Sequence, residues 1–291
     1  MTLEGDAGDA GHRDASTDSI ARDAPGTDAR DALVLSDAPS DVGAAPDVPA
    51  DTGSTLTTDR SHCTAQPDRT GVTMRTVTAH SGASMPYVAY VPSGYSTTAG
   101  MPLVVALHGA GDQAMNFLDV VWRANADAQH FAVIVPEGSC AVGTGNTWCM
   151  DDPNSVLDAI TDFEQCYTID TSRRILNGFS AGGVITFLIG MQATNLFSGL
   201  SVMAANLGSA EALAGMRLIP AQWLVPVSQF QGTMDMNFPY SVVTADRDRM
   251  ISAGHTVHWH EFDGGHTTNA GFALTTYMDL MGSRSPTGGA P

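Results

Sequence analysis

Lysine is absent from the 291 residues, so the 13 basic side chains are all arginines, facing 31 acids for a formal net charge of −18. The missing lysine reads as compositional bias with no functional consequence. The acidic balance excludes nucleic acid as a partner, which would favour a basic face. No apolar run approaches the ~18 residues of a membrane span. The amino-terminal end has no basic stretch followed by an apolar core, so no signal peptide is visible. Cysteine is scarce, with four residues at positions 63, 140, 149 and 166. None forms the CxxC pair that zinc or redox work would use.

Residues 1–60 lack aromatic side chains altogether, and Leu33-Val34-Leu35 is their one apolar cluster. They hold 13 acids against 4 arginines. Such a segment cannot bury enough apolar surface to offset its ordering entropy, so residues 1–60 are expected to be a disordered Asp/Ala/Pro-rich linker or tether. Its recurring Asp-Ala-Pro and Asp-Val-Pro units suit an extended, self-repelling chain; an acidic interaction tail is the alternative. A tether of this composition is typical of exported proteins, which implies a secreted or surface-tethered chain whose signal preceded this sequence. Residues 61–283 then form one folded domain, and 284–291 a flexible tail. The even cysteine count agrees with export. Cys140 and Cys149 flank a Gly-rich loop and are placed to staple it, leaving Cys63 to close a long loop with Cys166. Four free thiols in a cytosolic enzyme is the competing reading.

Within the domain, Val72–Thr78 and Tyr87–Val91 alternate apolar and polar residues around Ser81-Gly82-Ala83, the pattern of an antiparallel pair. Residues 102–107 and 131–135 are continuous apolar runs, as buried parallel strands require. A helix is expected over 156–166, a strand over 174–177 and an apolar helix over 183–191. Further strands are expected over 200–204, 224–229 and 256–262. Strands alternating with helices predict an α/β domain, its mostly parallel sheet covered on both faces.

Gly178-Phe-Ser-Ala-Gly182 matches G-x-S-x-G, and a predicted strand enters it while a helix leaves it. That context places Ser180 on a sharp turn with its hydroxyl exposed, over a helix N-terminus that favours developing negative charge. A tight Gly-Ser loop without chemistry is the plain alternative. A serine needs a base to take its proton. Of the downstream histidines, His255, His258 and His260 fall in or beside a strand. His266 follows Asp263-Gly264-Gly265 at a strand's C-terminal end, where functional groups gather in open α/β sheets, and is the candidate base. Asp235, just past the run Leu224–Val227, is the candidate acid. Asp263 is its rival, and Asp246 and Asp248 lie in a stretch that reads as an exposed helix. The oxyanion donors expected are the N–H groups of Ala181 and, from His108-Gly109-Ala110-Gly111, of Ala110, with Gly109 as the other choice. His108 reads as a support for that loop.

With these residues in place, the stretch from about Cys63 to Phe272 resembles the secreted feruloyl esterases and polyhydroxybutyrate-depolymerase-like esterases of carbohydrate esterase family one. The likeness rests on Leu107-His-Gly109, on Ile169-Asp170 followed by Arg173-Arg174, and on Gly178–Gly183. It rests also on Gly232-Thr-Met-Asp235 with Phe238-Pro239, and on Phe262-Asp-Gly-Gly-His266-Thr267. The resemblance implies an α/β-hydrolase fold, His266 as base, Asp235 as acid and the pairing Cys63–Cys166. Depolymerases of this group often carry Trp-Pro after the histidine; Thr267-Thr268 here is closer to the feruloyl esterases. The expectation is a monomeric serine carboxylester hydrolase that uses no metal or cofactor, acting foremost on hydroxycinnamoyl esters of plant polysaccharide. Polyhydroxyalkanoates and other polyesters come next. A serine peptidase of the same fold and a non-catalytic carbohydrate-binding protein are the more distant readings. Trp148 and Trp122 are candidates to line an aromatic cleft, with core packing as the plain alternative.

Overall fold

The computed structural model describes residues 70–79 and 82–281. The tether expected over 1–60, Cys63 and the tail over 284–291 lie outside the described residues. In chain order the elements are β1 (Gly71–Thr78), β2 (Ser84–Val91), β3 (Met101–Leu107), α1 (Ala114–Phe117), a π-helical stretch (Leu118–Trp122), α2 (Arg123–Gln129) and β4 (Ala132–Pro136). A hairpin of β5 (Cys140–Val142) and β6 (Gly145–Thr147) precedes α3 (Asp152–Cys166), β7 (Ile169–Phe179), α4 (Ala181–Gln192) and β8 (Gly199–Met203). The chain continues through α5 (Leu207–Ala214), β9 (Val227–Gly232), α6 (Tyr240–Ser252), β10 (Val257–Phe262) and α7 (Ala270–Leu280).

Eight strands form one sheet in the order β1-β2-β4-β3-β7-β8-β9-β10. β1 pairs antiparallel with β2 and β2 with β4, while every pairing from β4 to β10 is parallel. The apolar runs explain the parallel half: every residue of β3, β4 and β8 is buried, because helices cover both faces. On one face α3, α4, α5 and α6 pack Phe163, Phe187 and Val243 against the sheet. On the other, α1, the π-helical stretch and α7 contribute Phe117, Trp122 and Leu280. Each such large side chain contributes about 1.5–3 kcal/mol by leaving water.

The order also fixes where a site can form. From β3 the chain crosses to β4 on one side, and from β7 to β8 on the other. The loops after β3 and β7 therefore diverge, and a crevice opens between them at the C-terminal ends of the strands.

Boundaries depart from expectation for identifiable reasons. β9 begins at Val227 and not at Leu224, since Pro226 has no N–H to give a ladder. α3 begins at Asp152, earlier than its apolar stripe suggests, with Pro153 in its first turn where a missing N–H costs nothing. β7 starts at Ile169, five residues early, across an irregularity between Met101 and Leu103. Asp170 holds that irregularity by accepting from the N–H and hydroxyl of Ser172 and from Arg173 Nε at 2.7 Å. Burial alone would raise the Asp170 carboxyl, but these bonds outweigh it and hold it below the usual range. Arg174 forks onto Glu164 at 2.8 and 2.6 Å. The Asp170 and Arg173-Arg174 residues of the family motif thus serve the strand and its packing.

Candidate active site

Ser180 sits between β7 and α4 with φ 55° and ψ −122°, a left-handed conformation that a side chain other than glycine rarely adopts. Strain of this sort persists only where the surroundings over-determine it. Here they do. Ser180 N–H donates to Met203 O on β8 at 2.9 Å, and Ser180 O accepts from Val184 N–H as α4 begins. The two flanking glycines are required by close approach. A Cβ on Gly178 would collide with the Gly182 carbonyl oxygen, and one on Gly182 with that of Leu107. The hydroxyl therefore projects from a turn pinned on both sides, above the first turn of α4.

His266, in the loop between β10 and α7, places Nε2 2.8 Å from Ser180 Oγ. Its Nδ1 lies 2.9 Å from Asp235 Oδ2. Asp235 is buried in the turn after β9, and its Oδ1 accepts from the N–H groups of Asn237 and Phe238 at 2.8 and 3.0 Å. With Oδ1 satisfied by the main chain, Oδ2 is directed at His266 and accepts Nδ1–H. Nε2 then keeps its lone pair toward the serine hydroxyl, the tautomer that can take a proton from Ser180. Phe179 and Phe238 bracket the imidazole, with ring centroids 4.9 and 5.8 Å away. Nothing in the sequence pattern marks these rings as clamps, although Phe179 lies inside the serine motif and Phe238 three residues past Asp235.

The rivals are placed elsewhere. Asp263 is exposed in the turn before Gly264. Asp248 is exposed and paired with Arg247. Asp246 is buried, contrary to the exposed helix expected for it. It accepts from Asn206 Nδ2 at 2.9 Å, from Gly208 N–H at 2.7 Å and from Arg249. His255 is buried against Val225 O, and His260 bonds Asp279 on the far side of the sheet edge.

The loop after β3 reaches the same place. A Cβ on Gly109 would come within 2.8 Å of the Phe179 ring and 3.5 Å of Ser180 Cβ, so this loop lies directly against the serine turn. Ala110 is partly buried beside it, and Ala181 is buried at the first position of α4. The Ala181 peptide follows Ser180 directly, and the Gly109-Ala110 loop packs beside it. His108 is fully buried, donating from Nδ1 to Gly109 O at 2.8 Å and accepting from Gly138 N–H at Nε2. Its place is beneath the loop.

Neither tryptophan lines a cleft. Trp122 and Trp148 are 0% and 1% exposed. Trp122 packs edge-on to Phe131 in the core, and Trp148 lies under the loop with its indole N–H on His108 O at 2.9 Å. The large apolar area of each indole favours burial over presentation to a ligand. The apolar groups that are exposed near the acid are Met234 and Met236, 60% and 88% accessible. The expected staple is present: Cys140 and Cys149 are bonded, with Cα atoms 5.4 Å apart. Cys63, the other half of the pair expected for Cys166, lies outside the described residues, and no described cysteine is free.

No family model matches the chain. It is 30% identical over 170 residues to a bifunctional acetylxylan esterase/xylanase of Neocallimastix patriciarum, across 56% of this chain and 23% of that protein. It is 26% identical over 127 residues to poly(3-hydroxyalkanoate) depolymerase C of Paucimonas lemoignei, across 40% of this chain and 30% of that one. The chain therefore spans less than a third of the length of either curated relative. Among solved structures, a ferulic acid esterase superposes with a TM-score of 0.54 at 14% identity, covering 72% of this chain and 96% of its own. At that identity the likeness speaks for the fold alone. The chain thus has the α/β-hydrolase fold, and the resemblance to polysaccharide esterases and polyhydroxyalkanoate depolymerases, expected from its motifs, holds.

Proposed function

We propose that the chain is a serine carboxylester hydrolase that works through an acyl-enzyme. The hydrogen-bonded series Ser180–His266–Asp235, at 2.8 and 2.9 Å, carries this reading. Ser180 Oγ attacks the ester carbonyl carbon while His266 Nε2 takes its proton, and Asp235 stabilises the imidazolium. The N–H groups of Ala181 and Ala110 hold the oxyanion. On collapse, His266 returns the proton to the alkoxide leaving group; it then deprotonates a water that attacks the acyl carbon, and passes that proton to Ser180 Oγ as the acyl–Oγ bond breaks and the acid leaves. The scheme needs no metal or cofactor.

Ester decorations of plant polysaccharide are the leading substrates, supported by the similarity to an acetylxylan esterase segment. Because Trp122 and Trp148 are buried, neither supplies an aromatic wall that would favour a hydroxycinnamoyl group over acetyl, and both acyl groups belong to the proposal. A polyester is the second reading, favoured by the exposed Met234 and Met236 on either side of Asp235. The Cys140–Cys149 disulfide supports an exported protein, and we take it to act as a monomer. Among the described residues no helix is long and apolar enough to cross a membrane. Hydrolysis of p-nitrophenyl acetate by wild type and Ser180→Ala tests the mechanism: a loss of at least ~10⁴-fold in kcat is expected, and equal rates would refute it. Comparing acetate release from acetylated xylan, ferulate release from methyl ferulate and depolymerisation of polyhydroxybutyrate decides the substrate.

A further inference from the structure

The loop that carries Ala110 is held only in part by its own bonds. Gly111 has φ +82°, and within the loop Asp112 N–H returns to Gly109 O. His108 Nδ1–H also donates to Gly109 O, and Asp112 Oδ1 accepts from Gln113 N–H and Asn116 Nδ2; a further set of ties comes from one segment some thirty residues on. Gly111 N–H donates to Asn146 O at 2.9 Å, and Asn146 N–H donates to Asp112 O at 3.0 Å, a two-bond bridge onto β6. Asn146 Nδ2 and Ala114 N–H meet on the two oxygens of Glu137 at 3.0 and 2.9 Å. Trp148 Nε1–H donates to His108 O at 2.9 Å, and Gly138 N–H to His108 Nε2 at 3.1 Å. Gly145 packs so closely that a Cβ there would strike Gly111 O.

The brace is itself a weak element. β5 and β6 have three residues each and form a separate two-stranded sheet, a size that is marginal alone in water. It is closed at both ends of the loop. The Cys140–Cys149 disulfide joins them, and Asp152 Oδ2 accepts from the N–H groups of Ser139 and Cys149 at 2.9 and 2.8 Å.

We propose that the disulfide-stapled segment 137–149 is the positioning device of the oxyanion loop, with Trp148 and Glu137 as positioning residues, so that it governs turnover and not substrate affinity. The inference rests on the ester-hydrolase reading. An N–H aimed at the oxyanion contributes where charge develops, so a loop displaced by a fraction of an ångström weakens the transition state and leaves the ground state bound as before.

Two variants test it: Trp148→Phe, which removes the indole donor and keeps an aromatic ring, and Cys140→Ser with Cys149→Ser, which removes the staple. Active sites are counted by end-point titration with diisopropyl fluorophosphate, so that misfolded protein does not enter kcat. For p-nitrophenyl acetate the expectation is a fall in kcat of roughly 10- to 100-fold per titrated site, somewhat less than outright loss of an oxyanion donor. KM should change less than about twofold, and Ki for a trifluoromethyl ketone that forms a tetrahedral adduct on Ser180 should rise in step with the loss of kcat/KM. Variants that titrate with unchanged kcat and unchanged ketone Ki overturn the proposal, whatever happens to their Tm. A wild type that takes up no fluorophosphate on Ser180 refutes the ester-hydrolase reading itself, and the positioning role with it.

Discussion

The serine turn and the loop proposed to hold the oxyanion lie in contact at the C-terminal ends of β7 and β3, yet they are tied to the fold in different ways. The turn is held mainly by its own parts, two glycines between a strand and a helix, with one main-chain bond to Met203 on the neighbouring strand. The loop borrows its geometry from residues 137–149, through the main chain of Asn146 and the side chains of Trp148 and Glu137. A site assembled locally is vulnerable to changes within its own few residues. One assembled by a remote brace is vulnerable to changes far away along the chain, and those changes should cost rate before they cost stability.

The acid turn is bound to the segment that carries His266, Thr233 N–H donating to Phe262 O at 3.0 Å and Met234 N–H to Gly264 O at 2.9 Å, and the largest effect is expected there. In Asp235→Asn the main-chain donors of Asn237 and Phe238 would keep the amide oxygen, so the NH2 would face His266 Nδ1. The imidazole must then accept at Nδ1 and carry its proton on Nε2, where it cannot receive one from Ser180. A fall in kcat of about 10⁴-fold is expected, with unfolding by urea little changed; Asp263→Asn, in an exposed turn, should leave kcat within about twofold. The reverse ranking would transfer the acid role to Asp263.

Next in size is the contrast between two glycines. Gly182→Ala forces a methyl group against the Leu107 carbonyl inside the elbow and should lower stability by ~3 kcal/mol or more, beyond the usual overpacking range, with activity lost alongside. Gly145→Ala sets a methyl group against the Gly111 and Asp112 carbonyls, at the main-chain bridge between β6 and the loop that carries Ala110. There, denaturant titration should register the smaller loss and kcat the larger proportional one. If both substitutions reduce stability and rate in the same ratio, the distinction between local and borrowed geometry fails.

The same distinction explains what was legible in the sequence. The elbow announces itself, because G-x-S-x-G between an apolar strand and an apolar helix is its whole construction. Asp235 and His266 were found for a similar reason, each in a short Gly-containing turn at a strand end. The brace left no such trace. Three-residue strands are too short to show a period of two, and nothing about Trp148 in isolation says that its N–H meets a carbonyl forty residues earlier. Beside Cys149 it suits either a cleft wall or loop packing, and in the structure it packs. Asp246 was misread because α6 (YSVVTADRDRMIS) has no clean apolar stripe, so nothing in its spacing marks position 246 as facing inward.

That buried polar network supplies the smallest expected effect. Glu211 on α5 accepts from Arg249 at 2.8 Å, from Arg217 at 2.7 Å and from Leu218 N–H, while Arg249 also holds Asp246, which in turn holds Asn206 and Gly208 behind the elbow. Burial alone would raise the Glu211 carboxyl, but the hydrogen bonds from Arg249, Arg217 and Leu218 outweigh it and set it below its ordinary value. A carboxyl depressed by folding adds stability that is complete above its unfolded pKa of about 4.3 and fades as pH falls through the lower folded value. Glu211→Gln should therefore lower Tm by a few degrees at pH 7, equivalent to about 1 kcal/mol for a domain of this size, and the gap from wild type should close below about pH 4. Since this network touches the elbow through packing and supplies no group to Ser180, kcat at 25 °C should stay within about twofold of wild type. A loss of kcat as large as that of Trp148→Phe would mean that the elbow, too, takes its working geometry from a distance.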